Sequence, residues 1–167
     1  MPQSSDTSTG TGTSIAIGAV IFDLDGTLVD SSSEIHAALA AAFREAGIDA
    51  LTLSEVERLI GRGVRSLVER ALDMRGADAA MGDPMVEAFD AHYARTVGTT
   101  ASLFPGALEG LCALRAAHYP LSVVTNKPRA FTETLLATLD VLEFFTAVVA
   151  GDDGVARKPA GDMLLAA

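Results

Sequence analysis

The chain has a single cysteine, Cys112, no tryptophan, and only seven phenylalanines and two tyrosines among 167 residues. One thiol excludes an internal disulfide, so packing must hold the fold. Cys112 lies in an apolar helical pattern and is expected to be a small core residue. A reducing cytoplasm is the expected compartment. Basic residues are also scarce: 12 Lys and Arg stand against 22 Asp and Glu, for a net charge of −10. No basic patch is present to displace counterions, which argues against nucleic acid and anionic membranes as partners. An anionic substrate must therefore be attracted locally, by a few placed cations or a metal ion. No apolar run approaches the roughly 20 residues of a membrane-spanning helix. Nor does a basic residue precede an apolar stretch at the N-terminus, so no secretory signal is expected.

The chain does have apolar content, 49% of its residues. Residues 1–13, rich in Ser, Thr and Gly, read as a flexible tail. Residues 14–23 (SIAIGAVIFD) are apolar and β-branched with little alternation, as in a strand covered on both faces. A run of helical patterns follows. Ser31 and Glu34 are spaced as a capping box ahead of Ile35, Leu39 and Phe43; Thr52 and Glu55 repeat it ahead of Val56, Leu59 and Ile60. Val64, Leu67, Val68, Ala71 and Leu72 mark a third helix. Asp83 and Pro84 open a fourth, striped by Met85, Phe89, Tyr93 and Val97. After that, helix and strand alternate: 107–117 helix, 121–125 strand, 128–139 helix, 146–150 strand. Alternation of this kind builds a doubly wound parallel sheet. The spacing predicts an α/β core of residues 14–28 and 103–167, interrupted by an all-helical cap of residues 29–102.

The sharpest chemical signal is Asp23-Leu24-Asp25-Gly26-Thr27 at the end of the first strand. Strand alternation sets Asp23 and Asp25 on one side and Leu24 on the other. Gly26 permits a tight turn. Carboxylates at the carboxyl end of a parallel strand lie where open α/β sheets bind ligands. Two anions so placed call for a cation, and Mg²⁺ suits oxygen ligands and phosphate.

These residues resemble motif I of the haloacid dehalogenase superfamily. Val124-Thr125-Asn126-Lys127 resembles its motif II, and Arg157-Lys158-Pro159 its motif III. The phrases DLDGTLVDS, FPGALEGL, VVTNKP and KPAGDMLL are similar to the phosphoglycolate phosphatase branch, which carries a helical cap between motifs I and II. The resemblance implies a HAD-like Rossmannoid core and a Mg²⁺-dependent phosphomonoester hydrolase. Asp23 is then the nucleophile that forms an aspartyl-phosphate, and Asp25 the general acid and base. The Asp23 carboxylate and the Asp25 carbonyl hold the metal, while Thr125, Asn126 and Lys158 bind the phosphoryl group. Arg62, between Gly61 and Gly63 in the cap, is a candidate for a substrate carboxylate, with Arg65 as a second. The implied substrate is 2-phosphoglycolate. A phosphosugar mutase or nucleotide phosphatase of the same fold is the alternative.

The chain departs from the family pattern after Lys158. The resembling sequences continue to a fourth strand and an acidic motif IV that completes the metal site; here only 161–167 follow. The expectation is a core incomplete at its C-terminus, with a bare, self-associating first strand and the further alternative of an inactive remnant. Asp152 and Asp153 are the acids that could compensate. His36, His92 and His118 lack metal-binding spacing. His118 stands where the resembling sequences carry Gly at a helix end, so strain is expected there.

Overall fold

A computed structural model describes residues 17–167. The expected tail and the first residues of the expected strand, 14–16, lie outside the described residues. The chain leaves a sheet, builds a helical cap, and returns. β1 (Val20–Phe22) is followed by a short β2 (Val29–Asp30) and then four helices: α1 (Ser32–Glu45), α2 (Leu53–Glu57), α3 (Val64–Met74) and α4 (Gly82–Tyr93). β3 (Ser102–Leu103) brings the chain back, and α5 (Ala107–Ala116), β4 (Leu121–Val124), α6 (Arg129–Thr138), β5 (Ala147–Val149) and α7 (Asp162–Ala166) follow. None of the described helices is long and apolar enough to cross a membrane.

The fold is α/β, with a parallel sheet ordered β1-β4-β5. Val20 pairs with Leu121 and Phe22 with Val123, while Ser122 pairs with Ala147 and Val124 with Val149. All four residues of the central β4 are buried, which explains its unalternating LSVV. β2 and β3 form a two-stranded antiparallel ribbon, Val29 opposite Leu103, through which the chain enters and leaves the cap. Among the described residues β1 pairs on one side only, and Ile21 is 39% exposed.

The cap has its own core, built from Phe43, Val56, Leu72, Phe89 and Tyr93 with their neighbours, and the sheet has another around Leu24, Leu111, Val123 and Leu135. Each such side chain contributes about 1.5–3 kcal/mol on burial. The two units meet through aromatic rings. Phe89 stacks on Tyr93 at 5.5 Å, and Tyr93 meets the edge of Phe131, on α6, at 5.0 Å.

Several sequence expectations are corrected. Thr52 and Glu55 form their capping box, but Ser31 makes no cap hydrogen bond. Its hydroxyl donates to Asp25 instead, and the Glu34 carboxylate turns inward to Tyr93 and the Gly98 amide. A tertiary acceptor has replaced the local one. Asp83 does not cap α4. A 3₁₀ turn, Ala79–Met81, capped by Asp78, precedes the helix, and Asp83 pairs with Arg65 at 2.7 Å. Val97 lies beyond the end of α4. Cys112 is exposed rather than in the core. α5 carries only one fully buried residue, Leu111, so most of its apolar pattern faces outward.

Candidate functional site

Three loops meet at the carboxyl ends of the strands. Directly after β1, Leu24 is fully buried while Asp23 and Asp25 are partly exposed, as strand alternation requires. Gly26 turns with φ 82°, and Leu28 and Val29 donate their amides to the Leu24 carbonyl. A positive φ of this kind favours glycine.

Lys158 comes from the loop after β5. Its Nζ lies 2.6 Å from Asp23 Oδ1 and 2.8 Å from the Val124 carbonyl. Among the described residues the second Asp23 oxygen accepts no hydrogen bond, so it is free to act. Thr125 follows β4 and is buried; its amide donates to Val149. Its hydroxyl oxygen accepts the Lys127 amide at 3.2 Å, leaving the O–H proton for another acceptor. The structure thus brings Asp23, Asp25, Thr125 and Lys158 together.

Asn126 is present as well, but its side chain is already engaged. Nδ2 donates to the carbonyls of Gly61 and Lys158, and Oδ1 accepts the Lys158 amide. Arg62 is exposed and does not line the cleft, although Gly61 and Gly63 do. Arg65 is held by Asp83 on the cap surface. Asp152 and Asp153 do not line the cleft and are engaged by Arg129. Asp152 accepts the Arg129 amide at the start of α6, and Asp153 pairs with the Arg129 guanidinium. That guanidinium holds the Asp153 carboxyl below its ordinary range.

Sequence reasoning missed the partners of Asp25. Lys127 Nζ lies 3.0 and 3.1 Å from its two oxygens, and Ser31 Oγ donates to it at 2.6 Å. Lys127 is buried and also sits 4.7 Å above the Tyr93 ring, a favourable place for a cation. Burial, followed by the nearby charges of Asp25 and Glu34, pushes the Tyr93 phenol far up, so it stays a neutral donor to Glu34. Glycines allow the loops to approach each other. A Cβ on Gly151 would lie 2.2 Å from the Asn126 carbonyl oxygen, and one on Gly63 3.2 Å from the same atom.

Apolar cap residues such as Ile60, Leu67 and Phe89 wall a cleft above this polar floor. For a metal, the available donors are the free Asp23 carboxylate oxygen and the Asp25 main-chain carbonyl, neither of which accepts a hydrogen bond from the described residues. Both are hard oxygens, so they fit part of a Mg²⁺ shell with the rest supplied by water and phosphate. Among the described residues no group of three or more His, Cys, Asp or Glu side chains converges.

Residues 20–167 match the family model described as haloacid dehalogenase-like hydrolase. The chain belongs to that family. It is 40% identical over 146 residues to a phosphoglycolate phosphatase of Yersinia pseudotuberculosis, an alignment covering 86% of this chain and 63% of the relative. It is 42% identical over 152 residues to a plasmid phosphoglycolate phosphatase of Cupriavidus necator, covering 87% and 64%. The chain therefore spans less than two thirds of the length of these curated relatives. Among solved structures, a predicted phosphoglycolate phosphatase from Haemophilus somnus superposes with a TM-score of 0.76 at 26% identity, covering 85% of this chain and 66% of that one. A haloacid dehalogenase-like hydrolase from Streptococcus pneumoniae gives 0.71 at 28%, covering 82% and 62%.

Proposed function

We propose that this haloacid dehalogenase-like chain carries a Mg²⁺-dependent phosphomonoester hydrolase site of the cytoplasm, acting on 2-phosphoglycolate through an aspartyl-phosphate. The observation that carries the reading is the pairing of Asp23 Oδ1 with Lys158 Nζ while the other oxygen stays free beside Thr125 and Asp25. A nucleophile needs a free lone pair and a fixed direction, and this contact supplies the second without consuming the first.

The free Asp23 oxygen attacks phosphorus and the phosphorus–oxygen ester bond breaks; Asp25, entering this step as the neutral acid, gives its proton to the leaving oxygen and becomes a carboxylate. Water then gives its proton to Asp25 and attacks the same phosphorus, releasing phosphate and restoring the Asp23 carboxylate. The Thr125 hydroxyl and Lys158 hold the phosphoryl oxygens through both steps. Ser31 and Lys127 fix the Asp25 carboxylate. The Asp23 carboxylate and the Asp25 carbonyl would hold magnesium, which would supply positive charge to reduce the repulsion between nucleophile and phosphate.

The relatives named phosphoglycolate phosphatase point to this substrate. Neither Arg62 nor Arg65 lines the cleft; Lys127 does, so it is the cation that takes the substrate carboxylate. The test is phosphate release at millimolar Mg²⁺ from 2-phosphoglycolate, hexose phosphates and nucleotides. The highest kcat/KM is expected for 2-phosphoglycolate. A hexose phosphate ahead of it overturns the substrate, and undiminished turnover by Asp23→Asn overturns the mechanism.

A further inference from the structure

We infer that Asn126 is a positioning residue that couples docking of the cap to the placement of Lys158. The inference rests on the reading of Asp23 and Lys158 as the phosphoryl site. One planar amide joins three separate segments. Nδ2 donates at 2.9 Å to the carbonyl of Gly61, between α2 and α3 of the cap, and at 3.1 Å to the carbonyl of Lys158. Oδ1 accepts the Lys158 amide at 3.0 Å. Both backbone groups of Lys158 are therefore held by a side chain whose remaining bond is to the cap.

The amide is fully used, so moving the Gly61 carbonyl away leaves a buried N–H without a partner, which is costly. Asn126 is 4% exposed, so water does not readily replace the lost acceptor. The side chain must turn to find one, and turning loosens its two bonds to Lys158. Nζ of that residue reaches Asp23 at 2.6 Å from the backbone held here. The contact is also tight on its other face: Gly63 passes the Asn126 carbonyl so closely that a Cβ would lie 3.2 Å from it. Closure of the cap and assembly of the cation site are thus one event, and an undocked cap leaves a weakened phosphoryl site.

Two substitutions strike this link from opposite sides. Asn126→Asp keeps the acceptor and removes both N–H donors. Gly63→Ala acts from the cap alone, pressing a methyl group on the Asn126 carbonyl at a φ of 84°. The measurements are affinity for inorganic phosphate by calorimetry in Mg²⁺ buffer and amide exchange across residues 61–67 and 157–160. Both variants are expected to lose about tenfold or more in phosphate affinity and to exchange faster in both segments. Faster exchange in 61–67 alone, with phosphate affinity and 157–160 unchanged, overturns the coupling, as does wild-type behaviour of either variant. If Asn126→Asp fails to fold, Gly63→Ala decides by itself. Lys158→Ala serves as the reference: if it binds phosphate like the wild type, the reading of the phosphoryl site fails rather than the coupling.

Discussion

Lys127 holds two contacts that a substrate must compete with or share, the Asp25 carboxylate and the Tyr93 ring. Truncating its charge removes an ion pair between groups whose side chains are 5% and 11% exposed. Lys127→Met is expected to slow turnover of every ester through the loosened Asp25 and, beyond that, to raise KM for 2-phosphoglycolate about 10- to 100-fold, the range of one charge-assisted contact, so that kcat/KM falls further for it than for a phosphate ester without a carboxylate. Equal losses on both esters in steady-state assays contradict the assignment. At Gly151 the constraint is steric, because a Cβ would collide with backbone rather than with a side chain that can swing away. Gly151→Ala should lower stability by about 1–3 kcal/mol, as overpacking does, read from denaturant midpoints. A midpoint equal to wild type contradicts this. Asp23 and Asp25 stood out as paired carboxylates at the end of a strand, whereas Thr125 and Lys158 were singled out by the motif resemblance; the structure brings all four close together. Lys127 was not legible, since its partner lies 102 positions away and no local pattern announces it. Arg62 lies exposed outside the cleft lining, since a Gly-flanked Arg in a loop carries no information about which way it points.

At the scale of elements, strand–helix alternation was readable, and the boundaries of α3, α5, β4, α6 and β5 fell within a residue or two. Caps were less legible. The pair Thr52/Glu55 and the pair Ser31/Glu34 have the same spacing, yet only the first caps its helix, because the second lies beside a carboxylate and a buried phenol. The working box is reinforced by Arg75, whose Nη2 donates to Glu55 at 2.8 Å and which, with the Thr52 bonds, pulls the Glu55 carboxyl down to about 2. A depressed carboxyl contributes stability above its unfolded value of 4.5 and loses it as pH falls toward 2. The difference in Tm between wild type and Glu55→Gln should therefore be constant above about pH 6 and shrink between about pH 5 and 2; a constant gap down to pH 2 contradicts it. The end of α5 confirms a strained position. His118 sits at φ 61°, and the Tyr119 amide closes back on the Leu114 carbonyl. His118→Gly should stabilise by up to about 1 kcal/mol, raising Tm by a few degrees, and a fall in Tm counts against strain there.

At the scale of the molecule, the cap and the sheet have separate cores that meet over the cleft through Tyr93, Phe131 and Asn126. The sheet presents β1 at an edge among the described residues, with Ile21 facing outward. An apolar strand edge pairs readily with another chain, and a lysine placed on it blocks that pairing. Self-association through β1 is the proposal, so light scattering should show a mass that rises with concentration in the wild type and stays monomeric in Ile21→Lys. A wild type that is monomeric throughout contradicts it. In the proposed mechanism, however, all of the chemistry converges on one oxygen of Asp23. The direct measurement is fluorine NMR of the protein with beryllium fluoride and Mg²⁺, where the fluoride adduct on a nucleophilic carboxylate mimics the acyl phosphate. Bound fluorine signals are expected in the wild type and none in an Asp23→Asn variant of equal Tm; the same signals in the variant, or none in the wild type, contradict Asp23 as the phosphate acceptor.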